Sequence, residues 1–209
     1  MICLTDNDII KKLAICDLLP ETLVALDAQH EDILVLPSAK FSLGIAKNPD
    51  RTKSRIGVPV FDRIAEFLGK IREITTPPIP EEQLLFDDVI EIDPGEAILF
   101  SATAHFEECL LATGDKRSLR GLMRLPTPNT VATRLAGRVI CLEQIIVRII
   151  KRIGFEHVRN KVVPVSDCDT ALRAIFGSGI DAVEENVLRG FESYIRHLRG
   201  ETGSLLASE

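Results

Sequence analysis

Four acids stand where an apolar run gives way to a helix-like one: Asp6 and Asp8 in CLTDNDIIKKL, Glu96 in IDPGEAILFSATA and Asp115 in LLATGDKRSL. Brought together by folding, such carboxylates would hold a hard divalent cation, Mg²⁺ or Mn²⁺, alongside water. That metal would acidify and orient a water and neutralise phosphodiester oxygens during in-line attack. Taken singly, each acid reads as a helix cap, since carboxylates are favoured at helix N-termini. Bases adjoin the last of them: Lys116, Arg117, Arg120 and Arg124, with positions 117, 120 and 124 on one helical face. Such a face attracts phosphate. A second basic group, Lys47, Arg51, Lys53 and Arg55, lies in the polar stretch KNPDRTKSR, which reads as a loop. Both groups have a plainer reading, as solvated surface paired with neighbouring acids.

The elements that must position these residues follow from periodicity. MICLT is a short apolar strand, and residues 9, 10, 13, 14, 15, 18 and 19 have helical spacing behind Asp6 or Asp8 as N-cap. Pro20 and Glu21 open a second helix. DILVLPS reads as a strand buried on both faces. FDRIAEFLGKIREI, residues 61–74, is an amphipathic helix stopped by TPPIP. VIEI is a connection or short strand, Asp93-Pro94 starts a buried helix carrying Glu96, CLLAT is a strand, and DKRSLRGLMRL resumes a helix. The first 125 residues thus alternate β, α, α, β, α, α, β, α, which predicts an α/β protein around a mainly parallel sheet. In such sheets ligands bind at the carboxyl ends of the strands, where Asp6 and Asp115 fall. LPTPNT reads as a hinge. Beyond it, VATRLAGRVICLEQIIVRIIKRIGF reads as one long helix, VRNKVVPVSD as a connection, DCDTALRAIFGSG and AVEENVLRGFESYIRHLRG as two helices, and GETGSLLASE as a frayed tail. This predicts a domain over 1–125 and a helical extension over 126–209 packed on it, or offering a surface for self-association or a protein partner.

No apolar run approaches the roughly 20 residues that span a bilayer, and MICLTDND resembles neither a signal nor a transit peptide. A cytoplasmic location is expected. The five cysteines (3, 16, 109, 141, 168) are far apart and show no CxxC or zinc spacing, so they read as small core residues rather than a disulfide framework. The four histidines (30, 105, 157, 197) are equally scattered and read as surface or helix-end residues. Charge is uneven: residues 1–115 carry −11 and residues 116–209 carry +5, which suits a cation site beside an anion-binding surface or simply reflects variation among helices. No P-loop occurs, and no Gly-x-Ser-x-Gly elbow supports serine-hydrolase chemistry.

In order and spacing, the motifs LTDNDIIKKL, GEAILFSATA and LLATGDKRSL resemble those of the PIN domain family of metal-dependent nucleases. The resemblance covers roughly residues 1–125. It implies a PIN-like three-layer α/β/α fold and an endoribonuclease acting through Mg²⁺ or Mn²⁺. Asp6 and Asp115 would be metal ligands, and Glu96 a ligand or the base for a metal-bound water. Asp8 is either a further member or a cap. The implied substrate is single-stranded RNA, with Lys116, Arg117 and Arg120 on its phosphates. One departure stands out. The family usually carries another glutamate at the start of a helix in the region corresponding to LVLPSAKFSLGIAKN. Here no acid occurs from Ser38 to Lys47, and Lys40 and Ser42 occupy the neighbourhood. A second reading follows: a catalytically degenerate PIN-like domain that binds RNA or protein without cutting. A third is an unrelated hydrolase or phosphatase using the same acids on small phosphate esters.

Overall fold

The computed structural model describes residues 1–208. Its elements run, in chain order, β1 Ile2–Thr5, α1 Asn7–Ile15, α2 Leu19–Ala25, β2 Ile33–Val35, α3 Ala39–Ser42, α4 Pro49–Ile56, α5 Val58–Lys70, β3 Arg72–Glu73, α6 Pro80–Asp87, α7 Pro94–Ala102 and β4 Cys109–Ala112. Then come α8 Lys116–Leu122, α9 Thr130–Arg134, β5 Val139–Ile140, α10 Leu142–Ile153, α11 Phe155–Val162, α12 Thr170–Ile175 and α13 Glu184–Thr202, with short 3₁₀ turns between some of them.

The five strands form one sheet in the order β3-β2-β1-β4-β5, and every pairing is parallel. β1 is central: Cys3 pairs with Ile33 on one side, and Leu4 pairs with Leu111 on the other. From β1 the chain steps outward to β2 and β3, crosses back to β4, and steps outward again to β5. Parallel crossovers are right-handed, so helices leaving in opposite directions cover opposite faces. The protein is therefore α/β with an all-parallel sheet, consistent with a three-layer sandwich. The reversal of direction falls between β1 and β4, where a crevice opens at the strands' carboxyl ends.

Several expectations are corrected. The stretch VATRLAGRVICLEQIIVRIIKRIGF is not one helix. Gly137, at φ +70°, turns the chain after α9, and Val139–Ile140 pairs with Leu111 and Ala112 as β5 before α10 begins. A β-branched pair beside an open sheet edge wins over helical periodicity. Residue 125 is consequently no domain boundary. The sheet continues across it, and Arg134 of α9 grips both oxygens of Glu82 in α6 at 2.7 and 3.0 Å. KNPDRTKSR is not a loop: Pro49 takes the first helical turn of α4, where no amide donor is needed. IREI leaves α5 to form β3, whereas VIEI is a connection, the first of its two readings. VRNKVVPVSD belongs to α11 and the 3₁₀ helix Val163–Cys168. The tail is not frayed: Leu205, Leu206 and Ala207 are buried, and Leu206 bridges Val139 at the sheet's edge.

The C-terminal helices complete the same body. Ile145, Ile146, Ile149 and Ile150 of α10 are buried, and α10 packs on α2. These four isoleucines are thus spent inside the chain. Lys161 of α11 donates to Glu21 of α2 at 2.7 Å and to the Asp17 carbonyl at 2.6 Å, and His157 meets Glu21 at 2.7 Å. Among the described residues no helix is long and apolar enough to cross a membrane.

Candidate functional site at the carboxyl rim of the sheet

β1 ends at Thr5 and delivers Asp6 into the crevice beside β4. Asp6 caps α1, its Oδ1 accepting the Ile9 amide at 2.7 Å. Its Oδ2 accepts the Thr113 hydroxyl at 2.6 Å and the Gly114 amide at 2.8 Å. One carboxylate therefore fastens the β1–α1 junction to the β4–α8 junction. Burial pushes its pKa up; the Thr113, Ile9 and Gly114 donors pull it down, and the neighbouring Asp8 charge pushes it up again.

Asp8 sits one turn along, close to Gly114. A Cβ at position 114 would stand 2.7 Å from Asp8 Oδ2, so a larger residue there would push this carboxylate aside. The Lys12 ammonium lies between two acids, 2.6 Å from Asp8 and 2.8 Å from Asp169 at the start of α12. Burial alone would favour neutral Lys12, but Asp169 and Asp8 together hold it charged well above the ordinary lysine range.

Asp115 caps α8, its Oδ1 accepting the amides of Arg117 and Ser118 at 2.7 and 3.3 Å. Its Oδ2 accepts from the Arg117 guanidinium at 3.1 Å. Burial works toward a higher pKa, and the Arg117 side chain and these amides overcome it, so Asp115 stays below the usual carboxylate range. Glu96 stands at the third position of α7 in a reciprocal capping box: it donates its amide to Asp93 Oδ1 and accepts the Asp93 amide on Oε2, each at 2.8 Å. Half-burial, aided by the Asp115 and Asp93 charges, pushes Glu96 up to about 7 against a backbone hydrogen bond that opposes it.

Glu96 carries a pH signature. Its carboxyl takes up protons more readily in the fold than in the unfolded chain, so stability falls as pH rises from about 4.5 to about 7. Glutamine keeps the capping box without the charge. Glu96→Gln is expected to stabilise the protein at pH ~8 by about 1–2 kcal/mol after allowance for partial exposure, with no gain below pH ~4. Urea midpoints across that range measure it, and equal gains at both ends would refute the assignment.

The structure thus brings Asp6 and Asp8 together, and separately brings Glu96, Asp93 and Asp115 within electrostatic reach. It does not merge them into one ligand set, although Asp8 and Asp115 line the same cleft. Among the described residues no group of three or more His, Cys, Asp or Glu side chains stands where it could hold a metal ion. The acids are engaged by protein donors instead, and the open part of the crevice is neutralised from within. That cleft, of about 570 Å³, is lined by Asp8, Lys12, Asp115, Lys116, Glu143 and Asp169, among others. Lys116 donates to the buried Glu143 at 2.5 Å and lies over the Tyr194 ring. The donor set does not fit a three-carboxylate Mg²⁺ or Mn²⁺ site. After β2, where the resemblance implies a further acid, Lys40 of α3 pairs with Glu73 at 3.2 Å.

The basic residues sort differently from their order of interest in the sequence. Lys116 is held by Glu143, Arg117 by Asp115, Arg120 by Glu201 at 2.6 Å, and Arg124 by Glu91. In contrast, Lys47, Arg51 and Arg55 are exposed and have no ion-pair or hydrogen-bond partner among the described residues. Their spacing of four places them along one side of α4 and its approach. With Phe41, which is 63 % exposed, they line a hollow of about 300 Å³. Thr52 fixes the hollow's floor by donating to the Gly44 carbonyl at 2.9 Å. The missed signal was the Asn-Pro at 48–49, which opens a helix and so aligns bases that read as loop residues. Compared with protein-family models, curated proteins and solved structures, the chain matches none.

Proposed function

We propose that the chain is a PIN-like domain that binds single-stranded RNA without hydrolysing it. The observation that carries this reading is the row Lys47, Arg51 and Arg55, three exposed cations with no ion-pair partner among the described residues. Unpaired cations on a common face meet phosphates without first breaking an ion pair, and the exposed Phe41 beside them offers a surface on which a base stacks. Lys116, Arg117 and Arg120 are less available, because each must leave a carboxylate first. Against hydrolysis stand the absent acid after β2, the engagement of Asp6 and Asp115 by protein donors, and Lys12 seated between Asp8 and Asp169.

The test is binding of a labelled mixed-sequence single-stranded RNA in EDTA, followed across salt. Three phosphate contacts give a slope of log affinity against log salt near −2, and each lost contact removes about 0.7 of it. The double variant R51E/R55E is expected to bind at least ~10-fold more weakly with a slope shallower by about 1.4. K116Q/R117Q is expected to change affinity less than ~2-fold. The proposal fails if R51E/R55E binds like wild type. Mn²⁺-dependent cleavage by wild type, lost in Asp115→Asn, would restore the hydrolytic reading.

A further inference from the structure

The sequence scatters its cysteines, but folding brings two of them together. Cys16 closes α1 and Cys168 ends the 3₁₀ helix that precedes α12, 152 positions later. Their sulfurs stand 3.9 Å apart. A disulfide needs about 2 Å, so a shift of about 2 Å shared between a helix end and a 3₁₀ segment joins them. The other three thiols are placed differently. Cys3 and Cys109 lie on neighbouring strands, but Cys109 is in register with Ile2, so the two side chains leave opposite faces of the sheet. Cys141 is buried at the start of α10.

We infer that Cys16 and Cys168 form an oxidative modification site that closes to a disulfide when a peroxide is the oxidant. Cys168 is the partly exposed member and Cys16 the buried one, which assigns their roles. The Cys168 thiolate attacks a peroxide oxygen and the O–O bond breaks. The sulfur is oxidised to sulfenic acid, and the departing oxygen leaves as water after protonation. Cys16 sulfur then attacks Cys168 sulfur. The S–S bond forms, the S–O bond breaks, and a second water carries away the hydroxyl with the Cys16 proton. Two thiols and one hydrogen peroxide thus give one disulfide and two waters. The hydrogen bond from Cys16, together with the Lys12 ammonium, favours the Cys168 thiolate over the opposing effects of burial and of Asp169. The staple would join α1, which carries Asp8 and Lys12, to the segment that carries Asp169, directly behind the cleft.

The experiment treats the fully reduced protein with hydrogen peroxide, counts thiols by alkylation under denaturing conditions, and maps peptides. Expected are two fewer free thiols, a Cys16–Cys168 linked peptide lighter by two hydrogens, and full recovery with a dithiol reductant. C16S and C168S, verified as folded by circular dichroism under reducing conditions, are each expected to lose the linkage. C168S is expected to resist first-step oxidation, and C16S to stop at sulfenic acid on Cys168, trapped by a dimedone probe. An unchanged thiol count, a linkage through Cys3, Cys109 or Cys141, or sulfenic acid on Cys16 in place of Cys168 would overturn the assignment.

Discussion

Ending the chain at Gly203 is expected to destabilise it by about 4–6 kcal/mol, a large share of the 5–15 kcal/mol typical of a domain. The sequence GETGSLLASE looks dispensable, yet Leu205 and Leu206 are 1 % and 5 % exposed. Each buried leucine contributes about 1.5–3 kcal/mol, an upper range because the unfolded chain already hides some of that surface. The truncation also removes backbone partners. Val139 donates to the Leu205 carbonyl at 3.0 Å, Ala207 donates to the Val139 carbonyl at 2.7 Å, and Gly137 donates to the Ser204 carbonyl at 2.7 Å. The buried Gln144 side chain donates to the Ala207 carbonyl at 2.8 Å. Urea unfolding of the truncated and full-length proteins measures the loss. A difference below about 1 kcal/mol would mean that β5 holds its edge without the tail.

Asp6→Ala is the second large effect, expected to cost about 3–5 kcal/mol whether or not divalent metal is present. The substitution leaves the Ile9 amide, the Gly114 amide and the Thr113 hydroxyl without their acceptor in a buried crevice. These three donors favour the ionised carboxylate, while burial opposes it. Thr113→Val should cost less and couple to Asp6→Ala in a double-mutant cycle, since the two share a hydrogen bond. A variant that unfolds at the wild-type urea midpoint in EDTA, yet fails only when Mn²⁺ is supplied, would identify Asp6 as a metal ligand and overturn its assignment as a structural clamp.

Much of the positioning was legible in the residues. MICLT, ILVL and CLLAT are unbroken apolar runs too short for core helices, and each became a parallel strand. Asp6 or Asp8, Asp93 and Asp115 read as caps, and Asp6, Asp93 and Asp115 are caps, because a side-chain oxygen within reach of free helix amides is a local matter. Local sequence thus determined the α/β alternation, the strand-to-helix junctions and the placement of acids at the carboxyl rim. It misled where two elements compete over a short stretch. Val139 and Ile140 suit a helix by spacing, and only the presence of β4 alongside makes them a strand.

Tertiary structure alone decided which charges remain available. Nothing in KRSLRGLMR announces that Glu143, Glu201 and Glu91, all distant in sequence, neutralise its bases. Nor does the spacing of three acids reveal that Lys12 lies between Asp8 and Asp169, or that Cys16 meets Cys168. The sequence by itself determined the strands β1, β2 and β4 and the caps at Asp6 and Asp115, because those rest on contacts within a few residues. Which carboxylates, ammoniums and thiols face one another was settled only by packing, because those pairings join segments as far apart as Lys12 and Asp169, and charges interact through space rather than along the chain.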